Sequence, residues 1–359
     1  MGRAPIRAAV VMLMLLSSCT SSYEGGSGVA SEVLDWPGVG NGFHEWGQGA
    51  EGFFGTSESD GQEVLEAWTW QGATLAKTTV NVPPSTDVTL LPGDRYLASV
   101  EPPPGKRDWP LKLIPFASPE AARTWENLPG WDYSDVGTST NGAFVGLVLG
   151  EDFNNPPPDR DRDNPRHRVG ILDVSTGEMR WAADLMGHGY NTIRQIAVSD
   201  DGRYVAVGGW ANGVAMVDMA QEKVLWIDRP PTEVSTGYAV FAADGQTLYT
   251  AGSEGCVYRI ETTTGRILGQ WWATRRKGRS EYAHRASWLT VSPDGRWLAA
   301  GTGPEGHVYL WDLTVPDPEP RVLLHGGTTI LMLSFSPDST HLASVAGGKI
   351  KVWKVIENQ

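Results

Sequence analysis

Apolar and polar residues alternate with a period of two in short runs along most of this chain, and each run ends at a cluster of Gly, Pro, Asp or Ser. That pattern predicts β-strands of four to eight residues rather than helices. The stretch from Val291 to Asp312, VSPDGRWLAAGTGPEGHVYLWD, shows it most clearly. One strand ends at Val291 and Ser292. Pro293 presets φ for a turn, and Gly295 supplies the positive φ that closes it. The strand Trp297 to Ala300 follows, then a Gly-rich connection (Gly301 to Gly306), then the alternating strand His307 to Asp312.

The unit recurs. Turn-like centres fall at Gly93, Gly142, Gly202, Gly245, Gly295 and Ser339. Third strands are expected to end near Gln71, Phe116, Asp173, Asp218, Glu261, Asp312 and Lys354, with successive steps of 45, 57, 45, 43, 51 and 42 residues. Seven units fit, two of them lengthened. A period near 40–45 residues with four strands per unit resembles the WD-repeat β-propellers. The residues that carry the resemblance are Ser292-Pro293-Asp294-Gly295 with Trp311-Asp312, and Ser336-Pro337-Asp338-Ser339 with Val352-Trp353-Lys354. Weaker copies are Ser199-Asp200-Asp201-Gly202 with Val217-Asp218, and Ala243-Asp244-Gly245 with Ile260-Glu261. The resemblance implies an all-β chain: a single seven-bladed β-propeller of four-stranded antiparallel blades over residues 32–359. The last unit stops after its third strand, and residues 32–36 (EVLDW) offer a spare strand. In the family an N-terminal strand completes the last blade and closes the ring, so closure by this segment is expected.

Ahead of the ring the pattern changes. Arg3 and Arg7 form a positive region, Ala8 to Leu16 a short apolar one, and Leu16-Ser17-Ser18-Cys19 follows. A plain secretory signal would end in an Ala-x-Ala-like site, and a membrane anchor would need a longer apolar run. Small residues running into a cysteine resemble the lipobox of bacterial lipoproteins. The resemblance implies a signal peptide over 1–18, lipidation of Cys19, and a flexible Ser/Gly-rich tether over 19–31. Thr20 follows the cysteine where an inner-membrane retention signal would have Asp, so the outer membrane is the expected address. With Cys19 acylated, Cys256 has no disulfide partner and is read as a buried thiol in a strand.

The net charge is −13, which argues against a general nucleic-acid binder. Against that background Arg275, Arg276, Lys277, Arg279 and Arg285 form a basic cluster flanked by Trp271, Trp272 and Tyr282. Two readings stay open: a partner-binding loop built on Trp272, Arg275, Arg276, Lys277 and Arg279, or an exposed connection with its tryptophans in the core. The Pro-stiffened loop Glu101 to Pro110 carries Trp109, a second contact candidate.

His188, His284 and His325 each precede the first strand of a unit. Three histidines suggest zinc, but one per unit would place them in different blades. The resemblance implies a structural role instead: the family joins this His to a hydroxyl, an Asp and the third-strand Trp. Trp311 with Asp312, and Trp353, are the matching positions, with Ser344 as a candidate hydroxyl. In the insertion Glu151 to Arg168, Asp159, Asp161 and Asp163 have the alternate spacing of a calcium loop. Asn164 and Gly170 stand where that loop needs Gly and Glu, so a solvated loop is expected and no metal.

Asp173 to Gly177 followed by Trp181 resembles the tryptophan-docking motif of quinoprotein propellers, a motif that locks blades together. That family includes noncatalytic lipoprotein scaffolds of the outer-membrane assembly machinery, which is one alternative. No Gly-x-Ser-x-Gly elbow, His-Glu-x-x-His helix or phosphate loop is present. The expectation is therefore not an enzyme and no cofactor. It is a lipid-anchored, noncatalytic scaffold of the bacterial cell envelope that binds another envelope protein. A propeller enzyme or small-ligand binder using the central channel is the other alternative.

Overall fold

In a computed structural model the chain forms seven four-stranded antiparallel sheets. The structure describes residues 30, 32–36, 43–49, 52–59, 62–83, 85–93, 95–100, 110–125, 131–151, 167–185, 193–209, 213–229, 236–252, 255–273, 286–303, 306–326 and 328–355. Blade one holds β2 (Phe43–Gly49), β3 (Gly52–Ser59), β4 (Gln62–Gln71) and β5 (Thr74–Val82). Blade two holds β6 (Ser85–Leu91), β7 (Arg95–Val100), β8 (Leu111–Pro115) and β9 (Arg123–Trp125). Blade three holds β10 (Trp131–Thr138), β11 (Phe144–Glu151), β12 (His167–Asp173) and β13 (Met179–Leu185). Blade four holds β14 (Ile193–Val198), β15 (Tyr204–Gly209), β16 (Val214–Asp218) and β17 (Lys223–Arg229). Blade five holds β18 (Thr236–Phe241), β19 (Thr247–Gly252), β20 (Cys256–Glu261) and β21 (Ile267–Trp272). Blade six holds β22 (Ala286–Val291), β23 (Trp297–Thr302), β24 (His307–Asp312) and β25 (Arg321–Leu324). Blade seven holds β26 (Met332–Phe335), β27 (His341–Ala346) and β28 (Lys349–Lys354), and its fourth strand is β1 (Glu32–Asp35). One short 3-10 turn, Pro119–Ala121, is the helical element among the described residues.

The first strands line the axis, and each touches its neighbour on both sides around the ring. The third strands end at Gln71, Pro115, Asp173, Asp218, Glu261, Asp312 and Lys354, within one residue of the ends expected from the turn spacing. The core is divided in the same way. Seven apolar clusters are present, each filling the gap between two adjacent blades. Two faces of every blade are therefore apolar. This is why strands such as β16 and β27 read as nearly continuous buried runs instead of alternating ones.

Turn chemistry repeats with the blades. Between first and second strands, the Ser199, Ser292 and Ser336 hydroxyls donate to Asp201, Asp294 and Asp338 and accept from the amides of Tyr204, Trp297 and His341. Ser139 does the same with Asn141 and Phe144. The fourth turn residue is left-handed, a glycine in blades three to six. Blade seven has Ser339 there instead, at φ 60°, and its hydroxyl accepts from the Asp294 amide of blade six at 3.1 Å. A strained conformation thus ties one turn to the next.

The ring closes through β1. Glu32 to Asp35 pair with Val352 to Lys349, and the Trp36 amide extends the ladder to the Gly348 carbonyl at 2.9 Å. Trp36 is 2% exposed, and its ring lies 4.6 Å from that of Trp68 in blade one. A second tie crosses the same gap: the buried Trp70 indole donates to Ser334 at 3.0 Å. Lys349 and Asp35 form an ion pair at the exposed rim. That pair adds little, because solvent screens it.

Replacing Trp36 with Ala removes the largest side chain from this seam and should lower unfolding free energy by about 3–5 kcal/mol in urea denaturation. A change on the exposed rim of β1, Val33→Ala, should cost well under about 1 kcal/mol. Equal midpoints for the two variants would contradict closure by the Trp36 wedge.

Candidate functional site

Antiparallel order fixes two unlike faces. The turns joining strands one to two and three to four emerge on one side of the ring. The connections from two to three, and from each blade to the next, emerge on the other. Adjacent turns touch on the first face: the Asn141 amide donates to Asp200 at 3.0 Å, joining blades three and four. Ser139 and Val198 pair in parallel, as first strands running the same way must.

On the turn face a recurring set of charged groups is already used. Asp312 accepts from Arg296 at 2.8 Å and from the Thr314 amide, which holds its carboxyl down at about 2. Asp218 pairs with Arg203 in the same way in blade four, and Glu261 with Arg266 in blade five. Asp173 accepts from the Ser175 hydroxyl and the Thr176 amide, again below the usual carboxylate range. Asp200 moves in the opposite direction, because burial between blades three and four disfavours its charge.

The same turns clasp neighbouring blades. Trp125 in β9 donates its indole N–H to the Gly177 carbonyl at 3.1 Å, and Arg123 donates to the Thr176 carbonyl at 2.6 Å. A Cβ at Gly177 would lie 1.9 Å from the Arg123 guanidinium, so this turn needs glycine for space as well as for its φ of 70°. Trp226 in β17 makes the equivalent bond to the Thr262 carbonyl of blade five at 2.7 Å. The Asp173–Gly177 motif therefore receives Trp125 from the preceding blade. Trp181 packs flat on Gly170, where a Cβ would come within 2.3 Å of its ring.

The loop face begins at the His325 network. Trp353 donates to the Ser344 hydroxyl at 2.8 Å, Ser344 meets His325 Nδ1 at 2.7 Å, and His325 Nε2 meets the Ala346 carbonyl at 3.1 Å. The chain of donors assigns the neutral imidazole with its proton on Nε2. Burial, together with the nearby Lys351 ammonium, pushes the imidazole down to about 4. In blade six the register puts Ala300 where Ser344 stands in blade seven. The Trp311 indole N–H accordingly has no hydrogen-bond partner among the described residues. Trp311 stacks instead between Trp271 and Tyr309, at 6.4 and 6.2 Å.

Trp272 is the last residue of β21 on this face and is 41% exposed, while Trp271 is buried. The two tryptophans of the pair thus divide between core and surface. Cys19, the signal peptide over 1–18, Trp109, Arg275, Arg276, Lys277, Arg279, His188, His284 and the Asp159 to Asp163 loop lie outside the described residues. The strands that bracket the two loops, β7 with β8 and β21 with β22, both open onto the loop face.

Sequence reasoning missed a row of residues around the axis. A β-bulge interrupts the start of the first strand in blades three to six, and Asp135, Gln195, Tyr238 and Trp288 each stand just after it. They line a central channel of about 350 Å³. The Gln195 amide bridges to both the amide and carbonyl of Ala239, and the Tyr238 and Trp288 rings lie 4.8 Å apart. The signal was present: each lies four residues before the residue that opens the first turn. Among the described residues no group of three His, Cys, Asp or Glu side chains could hold a metal ion.

The family described as WD domain, G-beta repeat matches residues 181–217, 278–312 and 320–354. The first and third matches each begin at the outer strand of one blade and run through three strands of the next, the same offset that β1 resolves at the seam. Three WD repeats thus lie within a seven-bladed β-propeller. The chain is 28% identical over 135 residues to WD repeat domain-containing protein 83 of Danio rerio, covering 38% of this chain and 39% of that protein. It is 23% identical over 164 residues to the WD repeat-containing protein sll1491 of Synechocystis sp., covering 44% of this chain and 42% of that protein. The alignments thus span about two fifths of either relative. WD-repeat propellers are typically noncatalytic platforms for protein partners, which matches a ring whose charged groups serve its own turns.

Replacing Ser344 with Ala leaves Trp353 Nε1 and His325 Nδ1 without their shared partner. It should cost about 1–3 kcal/mol in chemical denaturation. The unmodified ring has a pH signature as well. Below the ordinary imidazole value of 6.5 the unfolded chain takes up a proton that His325 in the fold refuses until about pH 4. Stability should therefore fall as pH drops through that window, by up to about 1.4 kcal/mol per pH unit. The Asp312 contact is present above pH 3.8 and is lost only as pH falls through about 2, so the two losses separate on the pH axis.

Proposed function

We propose that this chain is a lipid-anchored, noncatalytic binding platform of the bacterial cell envelope, presenting its loop face to another envelope protein. One observation carries the reading. The turn face spends its carboxylates and indoles on closing its own turns, whereas the loop face ends in an exposed tryptophan, Trp272, at the root of the Arg275 to Arg279 run. Exposed aromatics beside arginines are the commonest anchors of protein interfaces. A rigid ring that displays loops is also the usual way such folds carry function. The envelope address rests on the lipobox-like Leu16 to Cys19 and the Ser/Gly-rich tether behind it, with the outer membrane favoured by Thr20. The channel favours a second reading: Asp135, Tyr238 and Trp288 could receive a small cationic group at its mouth.

The deciding experiment is a crosslinking pull-down of the lipidated protein from the membranes of its own organism. It is run beside a variant with Arg275, Arg276, Lys277 and Arg279 all replaced by Ser. A stoichiometric partner lost in the variant is the expected result. A soluble, unacylated mature protein would sink the envelope address. No partner together with a co-purifying small molecule would transfer the function to the channel.

A further inference from the structure

Seven blades leave seven outermost strands, each with one edge unpaired among the described residues. Six of them carry a charged residue that discourages another strand from adding: Glu32 and Asp35 in β1, Lys77 in β5, Arg123 in β9, Arg180 in β13, Lys223 in β17 and Arg321 in β25. β21, Ile267-Leu268-Gly269-Gln270-Trp271-Trp272, carries none. Ile267 and Trp272 at its two ends are 42% and 41% exposed, and Gln270 between them is exposed. A bulge at Leu268 leaves Gly269 to Trp272 as the regular edge. Among the described residues no strand but β20 pairs with it.

Charge indicates what fits this edge. Arg259 of β20 stands directly opposite Gly269, so both occupy one face of the blade. Its guanidinium carbon is 5.9 Å from the Trp271 ring, its Nε has no hydrogen-bond partner, and no carboxylate pairs with it among the described residues. A Cβ built on Gly269 would meet nothing within 4 Å. A strand added outside β21 would put one residue opposite Gly269, about 10 Å from the Arg259 backbone across two strand spacings. Arginine spans most of that distance over the missing side chain.

We propose that the outer edge of β21 takes an extended segment of a partner protein by strand addition, with an acidic residue of that segment placed opposite Gly269. The inference rests on the binding-platform reading and assigns it a second surface, on the rim of blade five. Main-chain hydrogen bonds would supply affinity, and the Arg259 contact would select the segment.

The test uses the full mature chain and a fluorescein-labelled peptide, Ser-Val-Thr-Val-Asp-Val-Thr-Val-Ser, with a twin carrying Asn at the centre. Saturable binding by anisotropy is expected, about ten-fold weaker for the Asn twin and for Arg259→Gln, and lost in Ile267→Asp with Gln270→Asp. Hydrogen exchange should slow across Gly269 to Trp272 when the Asp peptide binds. Should Arg259→Gln fail to fold, the two peptides on the unmodified chain still decide. No saturation below about 1 mM overturns the proposal, as does equal binding of the two peptides. So does a dimer in sedimentation that the double Asp variant abolishes, since the occupant is then a second copy. If β21 amides in the isolated monomer are already as protected as those of β20, the chain covers its own edge and the proposal is also wrong. An envelope partner kept by the double Asp variant but lost by the four-Ser loop variant would remove this surface and leave the broader function standing.

Discussion

Closure is the constraint on which the other features of this ring depend. Seven wedge-shaped sheets can only all bury both faces if the last meets the first, and no covalent bond enforces that meeting: Cys256 is a buried thiol. The work falls to four residues of β1, to the Trp36 ring, and to the hydrogen bond from Trp70 to Ser334. In an open array of repeats each unit is stabilised by its two neighbours, and the ends by one. Closing the array adds a seventh apolar interface at the cost of ordering a short N-terminal strand. The strand that closes the ring also emerges from the proposed tether.

The repeats were legible because their determinants are local. A Ser-x-Asp-Gly turn states its own geometry within four residues, and a Trp-Asp or Val-Asp pair marks the end of a third strand. Blades one to three lack most of those marks, and there the spacing carried most of the count. The clasps were not legible for a physical reason. The indole of Trp125 binds a carbonyl 52 positions away, and Trp226 one that is 36 away, each in the next blade. The Asp173 to Gly177 motif could be read as a docking turn, but which tryptophan docks there depends on how adjacent sheets stagger. The channel row was hidden similarly, since it takes a bulge in four separate strands to aim Asp135, Gln195, Tyr238 and Trp288 at one axis.

The difference between the faces follows from polar satisfaction. Turns between strands are short, so their carboxylates find amide and hydroxyl partners within five residues and their arginines within sixteen. Groups satisfied in this way are poor donors to a partner, because binding would have to break what folding already made. The connections on the loop face run from two residues between β27 and β28 to fifteen between β11 and β12. That variation makes the face informative to a partner, and the repeated hydroxyl–carboxylate turns make the other face suited to holding the ring together. Blade six shows the balance at one position: with Ala300 in place of the hydroxyl, Trp311 gives up a hydrogen bond and takes two aromatic neighbours instead.

The outer rim obeys the same logic with the opposite sign. An edge strand is the one part of a sheet whose backbone folding cannot satisfy, so a propeller carries seven such liabilities. Charge at the rim is the inexpensive remedy, because a buried lysine or aspartate would cost an incoming strand more than the ladder returns. β21 lacks that remedy and sits beside an arginine with an unpartnered Nε, in a chain whose net charge is −13. An acidic protein gains nothing in solubility from leaving one edge apolar beside a half-buried cation. It gains a place where an extended acidic segment is held by backbone and charge together, on the same blade whose last residue, Trp272, opens onto the loop face.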